Sequence, residues 1–131
     1  MRLTIIAALL FALIGLNGCP QAPEPIAPPV TSEQLAQMRQ DFRREDREAR
    51  VGLVTDVLAS DNLASVGSLT PHDLQDFTLG DIITFIDSNG KVLTLGHVEA
   101  INRDSLTVRY SNSGSHGRAP VPGDAAVRAI H

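Results

Sequence analysis

The apolar positions of this chain change rhythm three times. Leu3 to Leu16 is a continuous apolar run broken only by Thr4, and residues 20–30 then follow no apolar period and hold five of the eight prolines. From Glu33 to Arg50 neither Gly nor Pro interrupts a run of helix formers, and Leu35, Met38 and Phe42 recur at steps of three and four. That spacing predicts a helix with one narrow apolar face. Thr31 or Ser32 is its expected N-cap, with Gln34 in capping-box register from Thr31. The stripe stops because Glu45 and Asp46 take the next positions, so no coiled-coil seam follows. Opposite charges alternate from Arg39 to Arg50, with Arg44–Glu48 and Asp46–Arg50 at i,i+4, each worth about 0.2–0.5 kcal/mol. The segment reads as a solvated helix whose stripe docks on the following domain or dimerises weakly. Five acidic residues in the same segment weigh against an arginine-rich anion site.

From Val51 onward the period is two, and short strands are expected. Val51, Leu53 and Val57 alternate with Gly52, Val54 and Leu58, and Leu63 to Leu69 follows a turn at Ser60-Asp61-Asn62. Thr70-Pro71 reads as the N-cap and first position of one helical turn through His72, Asp73 and Leu74. Gly80-Asp81 opens a strand from Ile82 to Ile86, apolar on both faces and so expected to be central. Ser88-Asn89-Gly90-Lys91 is the strongest hairpin signal, because Asn-Gly suits a type I′ turn. On the return strand Leu93, Leu95, Val98 and Ala100 slip out of alternation, which places a bulge or bend at Gly96. A turn at residues 102–105 leads to the strand Leu106 to Tyr110. The polar loop Ser111 to Arg118 and the turn at Pro120 to Asp124 precede a closing strand near Ala126 to Ile130. Gly52-Leu53-Val54-Thr55-Asp56-Val57 and Gly96-His97-Val98-Glu99-Ala100-Ile101 share a Gly-x-Val pattern, expected where a bent strand needs small and branched residues facing a barrel interior.

This run of strand, Asn-Gly hairpin, bent strand, short turn, strand, Pro-x-x-Gly-Asp turn and final strand resembles an SH3-like barrel. The expected fold class is therefore mainly β: a small SH3-like barrel of five to six strands over residues 51–131, preceded by one charged helix (31–50) and a Pro-rich linker (19–30). An OB-like barrel is the alternative. Residues 51–131 contain 25 Val, Ile, Leu or Phe, enough for a core, though a marginal one for that length. The only aromatics there are Phe77, Phe85 and Tyr110, and there is no Trp. Grooves that read Pro-rich peptides and platforms that stack bases both need exposed aromatics, so peptide, single-strand and sugar recognition lose ground.

The N-terminus carries a second resemblance. Met1-Arg2 is a short positive leader, and the apolar run after it is shorter than the roughly 20 residues a membrane span requires. It closes on Leu16-Asn17-Gly18-Cys19, which resembles a bacterial lipobox, and Cys19 is the only cysteine in the chain. A lone thiol in an exported protein needs a task, and lipidation would consume it. The resemblance implies a signal peptide at 1–18, with diacylglyceryl and usually a further acyl chain on Cys19. Two or more chains anchor a protein stably without spanning the bilayer. Pro at position 20, in place of Asp, points to the outer membrane, facing the periplasm in a Gram-negative organism. At about 3.1 Å per residue the Pro-rich stretch would be a spacer on the order of 30 Å. Without residues 1–18 the chain has 113 residues and a net charge of −5. That charge weighs against nucleic acid and against polybasic docking on anionic lipid.

Candidate chemistry is sparse. His97 and Glu99 lie two apart on one strand and so share a face, and His72 lies four before Asp76. Either pair can be read as proton-transfer partners or as two metal ligands, or as exposed histidines beside exposed carboxylates. His116 and Arg118 can be read as anion contacts or as solvated loop polarity, and the serines from Ser111 to Ser115 lack a nucleophile-elbow context. His131 reads as a chain end. No cofactor or metal is implied. The expected function is a non-catalytic, lipid-anchored envelope protein whose barrel binds another envelope protein. A cell-wall-binding module is the alternative, with a small hydrolase or metal site at His97 and Glu99 behind it. Oligomeric state is not legible.

Overall fold

A computed structural model describes residues 27–111 and 118–128. The helix α1 (Ser32–Glu45) precedes six strands: β1 (Arg50–Leu58), β2 (Leu63–Gly67), β3 (Ile82–Ile86), β4 (Val92–Ile101), β5 (Leu106–Tyr110) and β6 (Ala125–Arg128). A 3-10 turn at Ala59–Asp61 joins β1 to β2, and a short helix α2 (Pro71–Gln75) lies between β2 and β3. The strands close into an antiparallel barrel in the order β1-β2-β5-β4-β3-β6, with β6 returning to β1. A small barrel preceded by a charged helix is what the sequence pattern predicts.

The barrel interior is filled by Val54, Val66, Ile83, Phe85, Val98, Leu106 and Val108, with Phe85 and Tyr110 packed edge to face at 6.3 Å. A second core lies outside the barrel. There α1 lays Leu35, Met38 and Phe42 across Val51, Ile86, Ala125 and Val127 on the outer faces of β1, β3 and β6. Val30 joins this core, and its N–H donates to the Gly123 carbonyl at 2.8 Å. The last residues assigned to the linker and the whole of α1 therefore share a core with the barrel. The α1 stripe docks, as one of its two readings expects.

Three local expectations are corrected. The helix does not run to Arg50; it ends at Glu45, where the Asp46 N–H donates to the Phe42 carbonyl and its carboxylate accepts the Glu48 N–H at 2.9 Å. A local carboxylate turn follows the helix, and Arg50 joins β1 opposite Arg128, where it pairs with Asp73 and Asp76. The hairpin at Asn89-Gly90 is not type I′, which needs positive φ at both central residues. Among the described non-glycine residues only Asn62 and Ser68 have positive φ. Here the Gly90 N–H donates to the Asp87 carbonyl, and Gly90 alone takes φ 82°. The Asp87 carboxylate holds this wider turn by accepting the Asn89 and Lys91 N–H groups, both at 2.9 Å. Finally, β4 bulges not at Gly96 but on either side of it, at Leu93 against β3 and at Glu99 against β5. The first bulge turns Thr94 inward and leaves Leu95 50% exposed.

Gly52 and Gly96 prove to be equivalent positions. A β-carbon at Gly96 would stand 2.7 Å from the Arg109 carbonyl oxygen, and one at Gly52 would stand 2.6 Å from Val66 Cγ1 and 2.9 Å from the Gly67 oxygen. In each strand the valine two residues on is 1% exposed, and the next residue, Thr55 or Glu99, is the bulge. The Val54 N–H donates to the Asp124 carbonyl and its carbonyl accepts from the Gly123 N–H; Val98 does the same with Asp81 and Gly80. Each of those aspartates accepts, at 2.8 Å, the N–H three residues before it, from Thr78 or Val121. Exchanging β1-β2-β3 for β4-β5-β6 leaves the cyclic strand order unchanged. The barrel is therefore pseudo-twofold, and registers correspond: Val51 opposite Val127 matches Leu95 opposite Thr84, and Leu53 opposite Ala125 matches His97 opposite Ile82.

Candidate functional site

The outer face of β4 and β5 holds the His97 and Glu99 pair. His97 is the register partner of Arg109, and both histidine and glutamate are exposed. The bulge aims Glu99 across the ladder, where Arg109 grips it with two hydrogen bonds of 2.7 and 3.1 Å. The second arm of Arg109 also donates to the Asp61 carbonyl at 2.9 Å, tying β5 to the β1–β2 turn. The Arg109 hydrogen bond holds the Glu99 carboxyl below its ordinary range, and the His97 charge adds to the effect. A carboxylate held in that state is a poor proton shuttle at neutral pH. The structure thus brings His97 and Glu99 together, with Arg109 as the partner that sequence spacing did not single out.

The His72 and Asp76 pair belongs to a larger cluster at one end of the barrel. Thr70 caps α2 and Asp73 closes the capping box, which fixes both aspartates at the mouth of the barrel. Arg50 reaches Asp76 Oδ2 at 2.7 Å and Asp73 Oδ1 at 3.4 Å, while Arg43 of α1 approaches Asp73 at 3.8 Å. Arg128 occupies an inward position at the end of β6 and is 6% exposed, with its guanidinium 4.8 Å from the Phe77 ring centre. It donates to the Asp76 carbonyl, to the Glu48 carbonyl at 2.9 Å and to Asp81 Oδ2 at 3.3 Å. Its buried Nε has no partner among the described residues. Two register-paired arginines thus meet three aspartates, and the Arg50 hydrogen bond lowers the Asp76 pKa. A recess of about 280 Å³ opens here, lined by Glu48, Arg50, Asp76, Thr78, Asp81 and Arg128. Arg50 is committed to Asp73 and Asp76, and Arg128 to Asp81 and to two backbone carbonyls.

Arg118 is similarly committed. Its guanidinium makes bonds of 2.7 and 3.0 Å to Asp124, which is 3% exposed and also takes the Val121 N–H. The Asp124 hydrogen bond raises the Arg118 pKa. Arg118 is thus the cation of the turn before β6 and no open anion contact. Ser111 donates its N–H to the Leu95 carbonyl at 2.8 Å. Cys19, Leu16, Asn17, Gly18, His116, Ser115 and His131 lie outside the described residues. Among the described residues no three His, Cys, Asp or Glu side chains come together as a metal-binding group, and no helix is long and apolar enough to cross a membrane.

What the outer surface does offer is apolar. Ile82 is 59% exposed, Leu95 50% and Val92 49%, all on the outer face of the β3–β4 ribbon. On one side, between this ribbon and α1, runs a groove of about 620 Å³ with Met38, Phe42, Thr84, Ile86 and Val92 in its lining and Asp41 and Glu45 along the helix edge. On the other, a shallower depression of about 360 Å³ includes Ile82, Leu95, His97 and Arg109. A sequence signal for this face existed in the apolar residues on both faces of Ile82 to Ile86: Ile83 and Phe85 fill the interior, and Ile82 and Ile86 lie on the outer face. No protein-family model matches the chain, and a search of curated proteins finds no match to it.

Proposed function

We propose that this chain is a lipid-anchored cell-envelope protein, held through Cys19, that presents its small barrel to another envelope protein and performs no catalysis. The observation that carries the binding half is the exposure of three apolar residues, Ile82, Val92 and Leu95, on the outer face of one hairpin. Contiguous exposed apolar surface on a small domain marks an interaction site more often than scattered single residues do. The carboxylates near His97 and His72 are each bound by an arginine, which favours binding over proton transfer. The anchoring half rests on the lipobox-like Leu16-Asn17-Gly18-Cys19 and on the Pro-rich stretch that ends where Val30 enters the outer core.

Membrane fractionation of the full-length chain, with metabolic labelling by a radioactive fatty acid, tests the anchor. The wild type is expected in the membrane fraction with label, and Cys19→Ala in neither. Label or membrane retention that survives Cys19→Ala would remove the lipid tether.

A further inference from the structure

The pseudo-twofold of the barrel relates two strips of its outer surface. On one half, Val51, Ala125 and Val127 form the outer strip that α1 covers, and they are 3%, 0% and 2% exposed. The positions that correspond by register on the other half are Leu95, Ile82 and Thr84. Two of these three are also apolar, yet Leu95 and Ile82 stand at least half exposed. Corresponding strips thus occur twice, one under α1 and one that no described residue covers.

We infer that the bare strip is a docking site for an amphipathic helix of a partner protein, seated on β3 and β4 beside α1. This rests on the binding reading above and names its surface and occupant. A helix is the fitting element because α1 already occupies the equivalent strip. Strand addition is closed off, since every strand is paired on both sides and the barrel has no free edge. The anchors of such a helix would recur at i, i+3, i+4 and i+7, a fuller form of the i, i+3, i+7 spacing of Leu35, Met38 and Phe42 on the covered side. Charge sets its orientation. The edge of α1 that borders the groove carries Asp41 and Glu45, and no cation is paired with either among the described residues. The opposite border is apolar at Val92. The occupant therefore carries Lys or Arg along the flank that lies against α1, and apolar residues over Leu95 and Ile82.

The test is site-specific photo-crosslinking of the full-length, tethered chain in its own cells. A benzophenone amino acid replaces Leu95 in one variant and Leu58, exposed on β1, in another. The expected result is an adduct from position 95 whose crosslinked segment, read by mass spectrometry, shows the i, i+3, i+4, i+7 apolar pattern with a basic flank. Its yield should fall at least fivefold when Asp41→Lys and Glu45→Lys are added, both at exposed helix positions that leave the cores untouched. Circular dichroism of that variant checks that the fold is retained. An adduct with lipid, with a second copy of this chain, or with a segment lacking the pattern overturns the inference, and so does a yield indifferent to the charge reversal. An adduct from position 58 alone overturns it while leaving the binding reading intact. Silence at both positions counts against both.

Discussion

Replacing Gly96 with alanine is expected to destabilise the barrel, and the size of the loss can be worked from its surroundings. The added methyl would lie 2.7 Å from the Arg109 carbonyl oxygen, 2.9 Å from Val108 Cγ1 and 3.1 Å from Tyr110 Cα, where ordinary contact begins at 3.4 Å. Two of the three neighbours are backbone of the paired strand β5, so relief requires that strand to withdraw by tenths of an ångström rather than one side chain to rotate. Overpacking of this kind costs about 1–3 kcal/mol. Removing a glycine from a strand returns about 0.5–1 kcal/mol through the unfolded chain. From the midpoints of those two ranges the net loss is about 1 kcal/mol, and for a folded unit near 100 residues each kcal/mol lowers Tm by about 4–8 °C. Gly52→Ala is its pseudo-symmetric counterpart and should behave alike, with its new methyl against Val66 and the Gly67 carbonyl. Thermal melts followed by far-UV circular dichroism read both. If either variant melted at or above the wild type, the close strand approach and the equivalence of the two glycines would both be wrong.

Other consequences are independent of that one. Leu35→Ala, which empties a 6%-exposed position in the outer core, should lower unfolding free energy in urea by about 2–3 kcal/mol. A change below 0.5 kcal/mol would mean α1 is not docked. Arg118→Leu leaves the Asp124 carboxylate buried without its cation and should cost about 3 kcal/mol in the same assay, more than any exposed pair is worth. Asp76 and Glu99 titrate below their ordinary values of 3.8 and 4.5, chiefly because Arg50 and Arg109 hydrogen-bond to them. A depressed carboxylate pKa adds stability above the ordinary value that is lost as pH falls through the lowered one. Urea midpoints should therefore hold level from pH 7 to about pH 5 and decline below about pH 4. Arg109→Gln should flatten the Glu99 share of that acid limb; an unchanged limb would count against the pair.

The contrast between what the sequence revealed and what it concealed follows from the range of each signal. The start of α1 was legible because a capping box is four residues long and Thr31 and Gln34 satisfy it alone. Its end was not, because helix-compatible charges continue past Glu45, and the stop coincides with the turn that the Asp46 carboxylate makes with the Glu48 N–H and with the pairing of Arg50 with Arg128. Asn89-Gly90 marked the hairpin correctly, while its turn type was decided by Asp87, just outside the dipeptide. The Gly-x-Val repeat pointed to a shared local need, yet only the register shows the bulge to fall after the valine in both strands. The pairing of β2 with β5 leaves no local mark at all. At the candidate site the spacing of His97 and Glu99 correctly put them on one face. It could not show Arg109, ten residues past Glu99, taking the carboxylate. Arg128 left no such clue, because Ala125-Ala126-Val127-Arg128 does not alternate and all four residues are buried.

Capture from cells tests the proposed envelope partner most directly. Full-length protein expressed in its own cells would be briefly crosslinked, affinity-isolated and identified by mass spectrometry, beside a Cys19→Ala control. One discrete envelope protein in near-stoichiometric yield, lost together with the tether, is the expected result. No partner above the control, with cell-wall fragments recovered instead, would contradict it.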